Sequence, residues 1–520
     1  MDAAKNRLSR IVIVSAILFF AVLYVCAISS FWKITPDSGM YVLAGKSLAA
    51  GEGYKIGGKP VILFPPITSL IFGICLWLFP SSYLALHVVT TLFTLLSLFL
   101  CFVLFKDDMG EVKAALTVLL SVGSVFLFRQ STFLLSDTFY FFFSVLALVS
   151  VRDTFRETRG WPGYILAATT VFVACMTRIV GLTLALAIAI ASLTSSMQKR
   201  SKKRLVLAMA AAVLPVLLWE YRNVLSGHSY FRFFFQNETW VEESGYVSLA
   251  GLAMRLVDNL GGYASIGAVL SNGVVENPAI THPSVKPVVV FLLCAVFGLG
   301  LLLSIKRTLS VTGLYTLFYL TTLGLYTQGI PIRFFIPILP FLFYYAFIGL
   351  EYIIEKSRIV IAPFASSVIY VGVGVYIIGY LGSGMAYMLR RIPEEHKSPF
   401  GAHPMKYSYN YDTQRLAMWL KDHSPRGAGY ICQHPSIMDL LTERKCYEFP
   451  FSRDSNKLLE LLRKERIKYL LIDKKKLEVQ KFLLPVIYAH PSRFSLIKDE
   501  KAAALYEFNV ANAFSVSEAR

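Results

Sequence analysis

The chain has 520 residues, of which 55% are hydrophobic and only 16% charged, too little charge for a water-soluble protein of this length. A formal charge of +18 would suit nucleic acid, but the Lys and Arg residues sit largely in short segments between apolar stretches. That is the positive-inside pattern of a membrane protein, and it argues against nucleic acid as a partner.

Apolar stretches long enough to cross about 30 Å of hydrocarbon as helix recur from residue 11 to residue 382. The fold class they predict is a polytopic α-helical membrane protein with about eleven transmembrane helices and a small α/β soluble C-terminal domain. The first stretch, Ile11 to Phe31, follows Lys5, Arg7 and Arg10 and lacks a small-residue cleavage site, so it reads as an anchor and not as a signal peptide. The predicted spans are 11–31, 83–105, 114–128, 138–151, 161–177, 179–195, 205–220, 286–305, 310–327, 334–350 and 359–382.

With the N-terminus cytoplasmic, the clusters Lys106 to Lys113, Arg152 to Arg159, Lys199 to Arg204, Lys306 with Arg307, and Lys356 with Arg358 all fall inside. The apolar segment Val61 to Phe79 would invert this order if it spanned. Its Pro65-Pro66 pair suits a helix start, and the segment reads as a helix in the outer interface. Expected outer regions are the loops 32–82 and 221–285, within a transmembrane domain 1–384, and an extracytoplasmic domain 385–520. The expected location is the cytoplasmic (inner) membrane.

The tail alternates between helical and strand patterns. Helices are predicted at Thr413 to His423, Pro435 to Thr442, Asn456 to Glu465 and Leu477 to Tyr488. Strands are predicted at Tyr430 to Gln433, Cys446 to Phe449, Tyr469 to Asp473, Phe494 to Ile497 and Ala504 to Phe508. No glycine-rich phosphate loop appears there, so no nucleotide cofactor is expected. Of seven cysteines, only Cys432 and Cys446 lie in the polar tail; spacing leaves open a disulfide or two free thiols. His396, His403 and His434 are scattered, and no His or Cys cluster has the spacing of a metal site.

The chemistry-bearing residues gather on the expected outer face. Asp37 stands in Pro36-Asp37-Ser38-Gly39-Met40-Tyr41, after the first span, followed by Lys46, Tyr54, Lys59 and Phe64-Pro65-Pro66. On local grounds Asp37 would also serve as the N-cap of a helix Ser38 to Ala50. Asp137 lies in Ser136-Asp137-Thr138 at the mouth of the fourth span, and Arg178 and Arg333 reach the same face. Charged groups at a bilayer edge are functional candidates, with snorkelling anchors as the alternative for the arginines. A carboxylate can take a proton from an attacking hydroxyl while guanidinium groups hold a phosphate, so the set suits transfer of a group from a phosphate-linked lipid.

These segments, with Leu135-Ser136-Asp137-Thr138, Thr177-Arg178-Ile179-Val180-Gly181-Leu182 and Arg333-Phe334-Phe335-Ile336-Pro337-Ile338-Leu339-Pro340, resemble the GT-C superfamily. Within it the chain is similar to bacterial glycosyltransferase family 39, the group of protein O-mannosyltransferases and lipid A aminoarabinose transferases. The resemblance extends into the tail, at Met418-Trp419-Leu420 and Tyr469 to Asp473. It implies a polyprenyl-phosphate sugar donor, a lipid, glycan or protein acceptor on the outer face, and inversion at the anomeric carbon. By that likeness Asp37 and Asp137 are catalytic. Arg333 and Arg178 bind the donor phosphate, Lys46 and Lys59 are further phosphate candidates, and Tyr41 and Tyr54 belong to the substrate loop. Protein O-mannosyltransferases carry an Asp-Glu pair at the loop acid, whereas Asp37 is followed by Ser38, which weakens the case for protein mannosylation. No cofactor is expected; metal use varies in the family, and this sequence offers no support for a divalent ion. The competing readings are a membrane transporter or lipid flippase, and a non-catalytic scaffold for polysaccharide assembly. A transporter would place polar groups near the bilayer midplane and show internal repeats.

Overall fold

The computed structural model describes every residue except 1, 63, 156–159, 227–228, 239–240, 242–243, 274–285, 328, 361–362, 399–410, 426 and 510–520. His403 and Arg159 therefore lie outside the described residues. The N-terminal part runs through α1 (Asp2–Cys26), α2 (Pro36–Ala49), the short hairpin β1 (Lys55–Ile56) and β2 (Lys59–Pro60), α3 (Ile67–Leu78), α4 (Tyr83–Met109), α5 (Glu111–Val122), α6 (Val125–Ser131), α7 (Ser136–Phe155), α8 (Trp161–Thr177), α9 (Leu182–Thr194) and α10 (Lys199–Leu225). It continues with α11 (Tyr230–Phe235), α12 (Leu249–Asp258), α13 (Ala264–Leu270), α14 (Lys286–Thr308), α15 (Val311–Gly324), α16 (Leu339–Val360) and α17 (Pro363–Glu395).

Among the described residues seven helices are long and apolar enough to cross a membrane, or eight when the bent pair α5 and α6 counts as one span. Helices α8, α9 and α15 lie in the remaining segments read as spans from the sequence. This is a multi-pass membrane protein. The last of these helices runs to Glu395, past residue 384. Helix α3 has 12 residues, about 18 Å of helix against the roughly 30 Å of a bilayer's hydrocarbon core. It begins directly after Pro66, and it crosses α2 where Gly45 and Gly73 meet. A Cβ on Gly45 would lie 3.1 Å from the Gly73 nitrogen.

The third predicted span is not straight. It breaks between Val122 and Val125 with a bend of 63°, and a break inside a bilayer must be satisfied by protein because no water is at hand. Asn272, buried in a left-handed conformation, supplies the partners. Its side-chain amide donates to the Gly123 and Tyr380 carbonyls, both at 2.9 Å, and its oxygen accepts from the Val125 N–H at 2.7 Å.

The charged ends sort to one face. Arg10 of α1 pairs with Glu111, Arg152 of α7 with Asp107 and Lys113 of α5 with Glu351 of α16. The opposite face carries α2, α3, α11–α13 and the C-terminal domain.

That domain comprises α18 (Tyr411–His423), β3 (Gly429–Cys432), α19 (Pro435–Thr442), β4 (Cys446–Glu448), α20 (Ser455–Lys464), β5 (Ile467–Asp473), a π-helical turn leading into α21 (Leu484–Ala489), β6 (Phe494–Asp499) and β7 (Ala503–Phe508). The strands form one mixed sheet in the order β4-β3-β5-β7-β6. β3 is parallel to β4 and β5, and the hairpin β6–β7 is antiparallel and joins through β7 to β5. One side of the sheet packs on α20 and α21 through Leu458, Leu462, Val486 and Ile487. The other faces the membrane part. Leu416, Leu420, Ile437, Met438 and Leu441 share a single hydrophobic cluster with Trp32, Tyr41, Val42, Phe72, Leu76 and Phe139. Burial of that many large apolar side chains, each worth about 1.5–3 kcal/mol, seats the sheet domain directly on α2 and α3. Cys432 and Cys446 are free thiols.

Candidate active site

The site forms where four chain segments converge on one face of the bundle: the first turn of α2, the first turn of α7, the link between α8 and α9, and the 3₁₀ segment Ile332–Ile338 before α16. Helix α2 opens at Pro36, whose fixed φ and missing N–H suit the first helical position. The cap is Thr35 in a reciprocal capping box with Ser38. The alternative reading of Asp37 as this cap is not what the structure shows. One residue into the helix Asp37 is relieved of capping, and its carboxylate accepts a 2.7 Å hydrogen bond from Nη2 of Arg333.

Asp137 occupies the corresponding place in α7 and is fully buried. Arg178 donates to its Oδ1 at 2.5 Å, and Gln130 donates to its Oδ2 at 3.3 Å. The Arg178 group also donates to the Ser136 hydroxyl at 3.3 Å, and that hydroxyl accepts from the Tyr41 phenol at 2.9 Å. Burial, foremost, pushes the Tyr41 phenol well above its ordinary range, so it remains a proton donor. Tyr41 thus ties α2, which carries Asp37, to α7, which carries Asp137.

The two arginines meet on one ring: the guanidinium carbon of Arg178 lies 5.0 Å from the Phe334 centroid and that of Arg333 lies 5.4 Å from it. Phe334 is held in turn by Tyr319, whose phenol donates to the Phe334 carbonyl at 2.8 Å.

The two ion pairs differ in access. Arg333 and Asp37 are each 34% exposed, whereas Asp137 is 1% and Arg178 19% exposed. Solvent reaches the first pair; the second is enclosed. Exposed ion pairs are worth little and an enclosed one adds little net stability because desolvation offsets attraction, so one of each side by side at the edge of an apolar bundle points to function more than to folding.

The remaining predicted residues are placed elsewhere. Lys46 stands nine residues beyond Asp37 on α2, about 13 Å along the axis, within the field of Glu443 in the C-terminal domain. Lys59 lies over the Tyr447 ring at 5.9 Å. Both lysines face the sheet domain and are not gathered with the arginines. The Tyr54 phenol donates to the Phe64 carbonyl at 2.9 Å, and its ring leans on Trp219, which also carries Arg222. It therefore shapes the loop between α2 and α3. Sequence reasoning did not single out Gln130, Tyr319 or Phe334. Phe334 adjoins a predicted arginine, but nothing in its spacing marks it as a platform for two cations. Among the described residues no three His, Cys, Asp or Glu side chains gather as metal ligands.

This arrangement of helical bundle, juxtamembrane helices and α/β domain is a fold shared with solved membrane proteins of the GT-C type. ArnT from Cupriavidus metallidurans, solved bound to undecaprenyl phosphate, superposes with a TM-score of 0.59 at 12% identity, over 96% of this chain and 98% of ArnT. The oligosaccharyltransferase AglB from Archaeoglobus fulgidus, solved with an inhibitory peptide and a dolichol-phosphate, superposes with a TM-score of 0.56 at 10% identity, over 97% of this chain and 75% of AglB. No family model and no curated protein matches the sequence.

Proposed function

We infer that this protein is an inverting glycosyltransferase, which moves a sugar from a polyprenyl-phosphate donor to an acceptor on the outer face of the cytoplasmic membrane. The observation that carries this reading is the accessible Asp37–Arg333 pair beside the enclosed Asp137–Arg178 pair. They stand at the end of an apolar bundle in a fold shared with ArnT bound to undecaprenyl phosphate and AglB bound to a dolichol-phosphate.

Asp37 is the base. Its carboxylate takes the proton of an acceptor hydroxyl while that oxygen forms a bond to the anomeric carbon. The bond from that carbon to the phosphate oxygen breaks, and its electron pair leaves with the polyprenyl phosphate. Arg333 bridges the two events: it holds Asp37 in the resting site and binds the departing phosphate, with the Arg178 charge behind it on Phe334. Asp137 does not reach substrate; it fixes Arg178. The lysines Lys46 and Lys59 have no part in phosphate binding on this reading. The N-terminus and the charged face of Arg10, Lys113 and Arg152 lie in the cytoplasm, and the C-terminal domain lies outside.

The test is sugar transfer from a radiolabelled panel of polyprenyl-phosphate sugars to native membrane extract, with wild type compared against Asp37→Asn. Asp37→Asn should abolish turnover and leave donor binding intact, since the exchange preserves size and removes the base. Arg333→Ala should instead weaken donor binding. Failure of folded wild type to transfer from any donor would overturn the assignment.

A further inference from the structure

The site described so far is built from the membrane part alone, yet the C-terminal domain is seated on its catalytic turn. The first turn of α19 lies against the first turn of α2: the Ser436 hydroxyl donates to the Pro36 carbonyl at 3.3 Å. Gly39 is what allows this approach. A Cβ there would stand 2.9 Å from the Ser436 hydroxyl oxygen and 3.1–3.2 Å from the α19 backbone. Ile437 and Met438, in the same turn, are buried in one cluster with Tyr41 and Val42. This contact leaves little freedom to the residue that opens α19, His434. Its carbonyl accepts from the Ile437 and Met438 N–H groups, and Pro435 fixes the backbone that follows. The ring is half-buried and lies within the electrostatic reach of the Asp37 carboxylate and of the Lys476 ammonium.

We propose that His434, at the end of α19 that docks on the turn of α2 carrying Asp37, is a positioning residue of the active site that hydrogen-bonds the nucleophilic hydroxyl of the acceptor and aims it at the base. This rests on the glycosyltransferase reading and names the element that serves the acceptor side. Burial and then Lys476 push the imidazole down to about 4, with Asp37 acting in the opposite sense. His434 is thus neutral at pH 7 and too weak a base to keep the transferred proton. Its use is geometric: one ring nitrogen accepts or donates to the acceptor hydroxyl, while Asp37 takes the proton.

The experiment uses full-length protein in detergent, the donor that wild type consumes, and native membrane lipid extract titrated as acceptor. His434→Ala should raise the half-saturating amount of extract on the order of tenfold, the loss of one hydrogen bond, and leave the dissociation constant of the donor unchanged. His434→Gln, which keeps a hydrogen-bonding group, should recover most of that loss. Gly39→Ala, which pushes α19 off α2, should shift acceptor saturation in the same direction. A structural role would lower donor affinity and acceptor affinity together, with no recovery by glutamine; that result, or an unchanged half-saturation in His434→Ala, would overturn the proposal. Should the alanine variant not fold, as judged by size exclusion and melting, His434→Phe gives the same contrast, because it fills the site without a hydrogen bond. Absence of transfer by wild type with every donor would instead overturn the glycosyltransferase reading, and this one with it.

Discussion

The roles proposed for the two acids rest on their different surroundings. Asp37 is one-third exposed and paired to an equally accessible arginine, while Asp137 is enclosed and held by Arg178 and Gln130. If Asp137 acts only through Arg178, the two are one unit, and their substitutions should not add. Asp137→Asn and Arg178→Ala should each weaken donor binding, and the double variant should be no worse than the poorer single one. Additive losses would mean that Asp137 has a separate task. Removing Asp137 also strands a buried cation, which should lower stability by about 3 kcal/mol or more; melting of Asp137→Asn in detergent measures it. His434 makes a prediction in pH. Its pKa is depressed from 6.5 to about 4 in the folded protein, so the unfolded chain binds the proton first on acidification. The melting temperature of wild type should therefore fall relative to His434→Gln as pH drops from 6.5 to 4, and the difference should be constant above 6.5. A constant difference across the whole range would mean that the ring is not protected from protonation by folding.

At the scale of elements, the bend between α5 and α6 depends on one side chain from a distant loop. Asn272 satisfies three backbone groups at once. Asn272→Ala would leave those groups unpaired in an apolar setting, with an expected loss of about 2–4 kcal/mol. Asn272→Asp, which keeps the acceptor and loses the two donated bonds, should be intermediate or worse. A melting temperature unchanged in Asn272→Ala would show that the break is held by helix packing alone. The same bend places Gln130 at the end of α6, one helix away from Asp137, so weakened packing at Asn272 should also reduce transfer activity.

For the whole molecule, the sheet domain and the juxtamembrane helices share a hydrophobic cluster, and the C-terminal domain is therefore not an independent module. Expressed alone, residues 411–509 would expose Leu416, Leu420, Ile437, Met438 and Leu441 to water. The fragment should bind an apolar dye such as ANS and self-associate. A monomeric, cooperatively melting fragment would contradict the shared core and would detach His434 from the active site as well.

The number and order of the apolar segments were legible in the sequence because a bilayer demands about 20 apolar residues per crossing, whatever the segment packs against. The alternation of the tail was legible for a similar reason: helix and strand periods are local, and each predicted tail helix and strand appears where its pattern lies. Asp37, Asp137, Arg178 and Arg333 stood out because two acids and two arginines from segments far apart in the chain fall on the same expected face. Pairing was beyond the sequence. Asp37 with Arg333 is a contact across 296 residues, and nothing local distinguishes that partner from Asp137 with Arg178. Nor could spacing show that Thr35 takes the cap from Asp37, that Lys46 and Lys59 turn toward the sheet domain, or that one ring, Phe334, carries both arginines. The apolar segments and the polar stretches between them can be read from the sequence by itself, since transfer free energy acts on each segment separately. Only the tertiary structure decided which charges face one another and which of them solvent reaches, because pairing and access depend on helices that meet far apart in the chain.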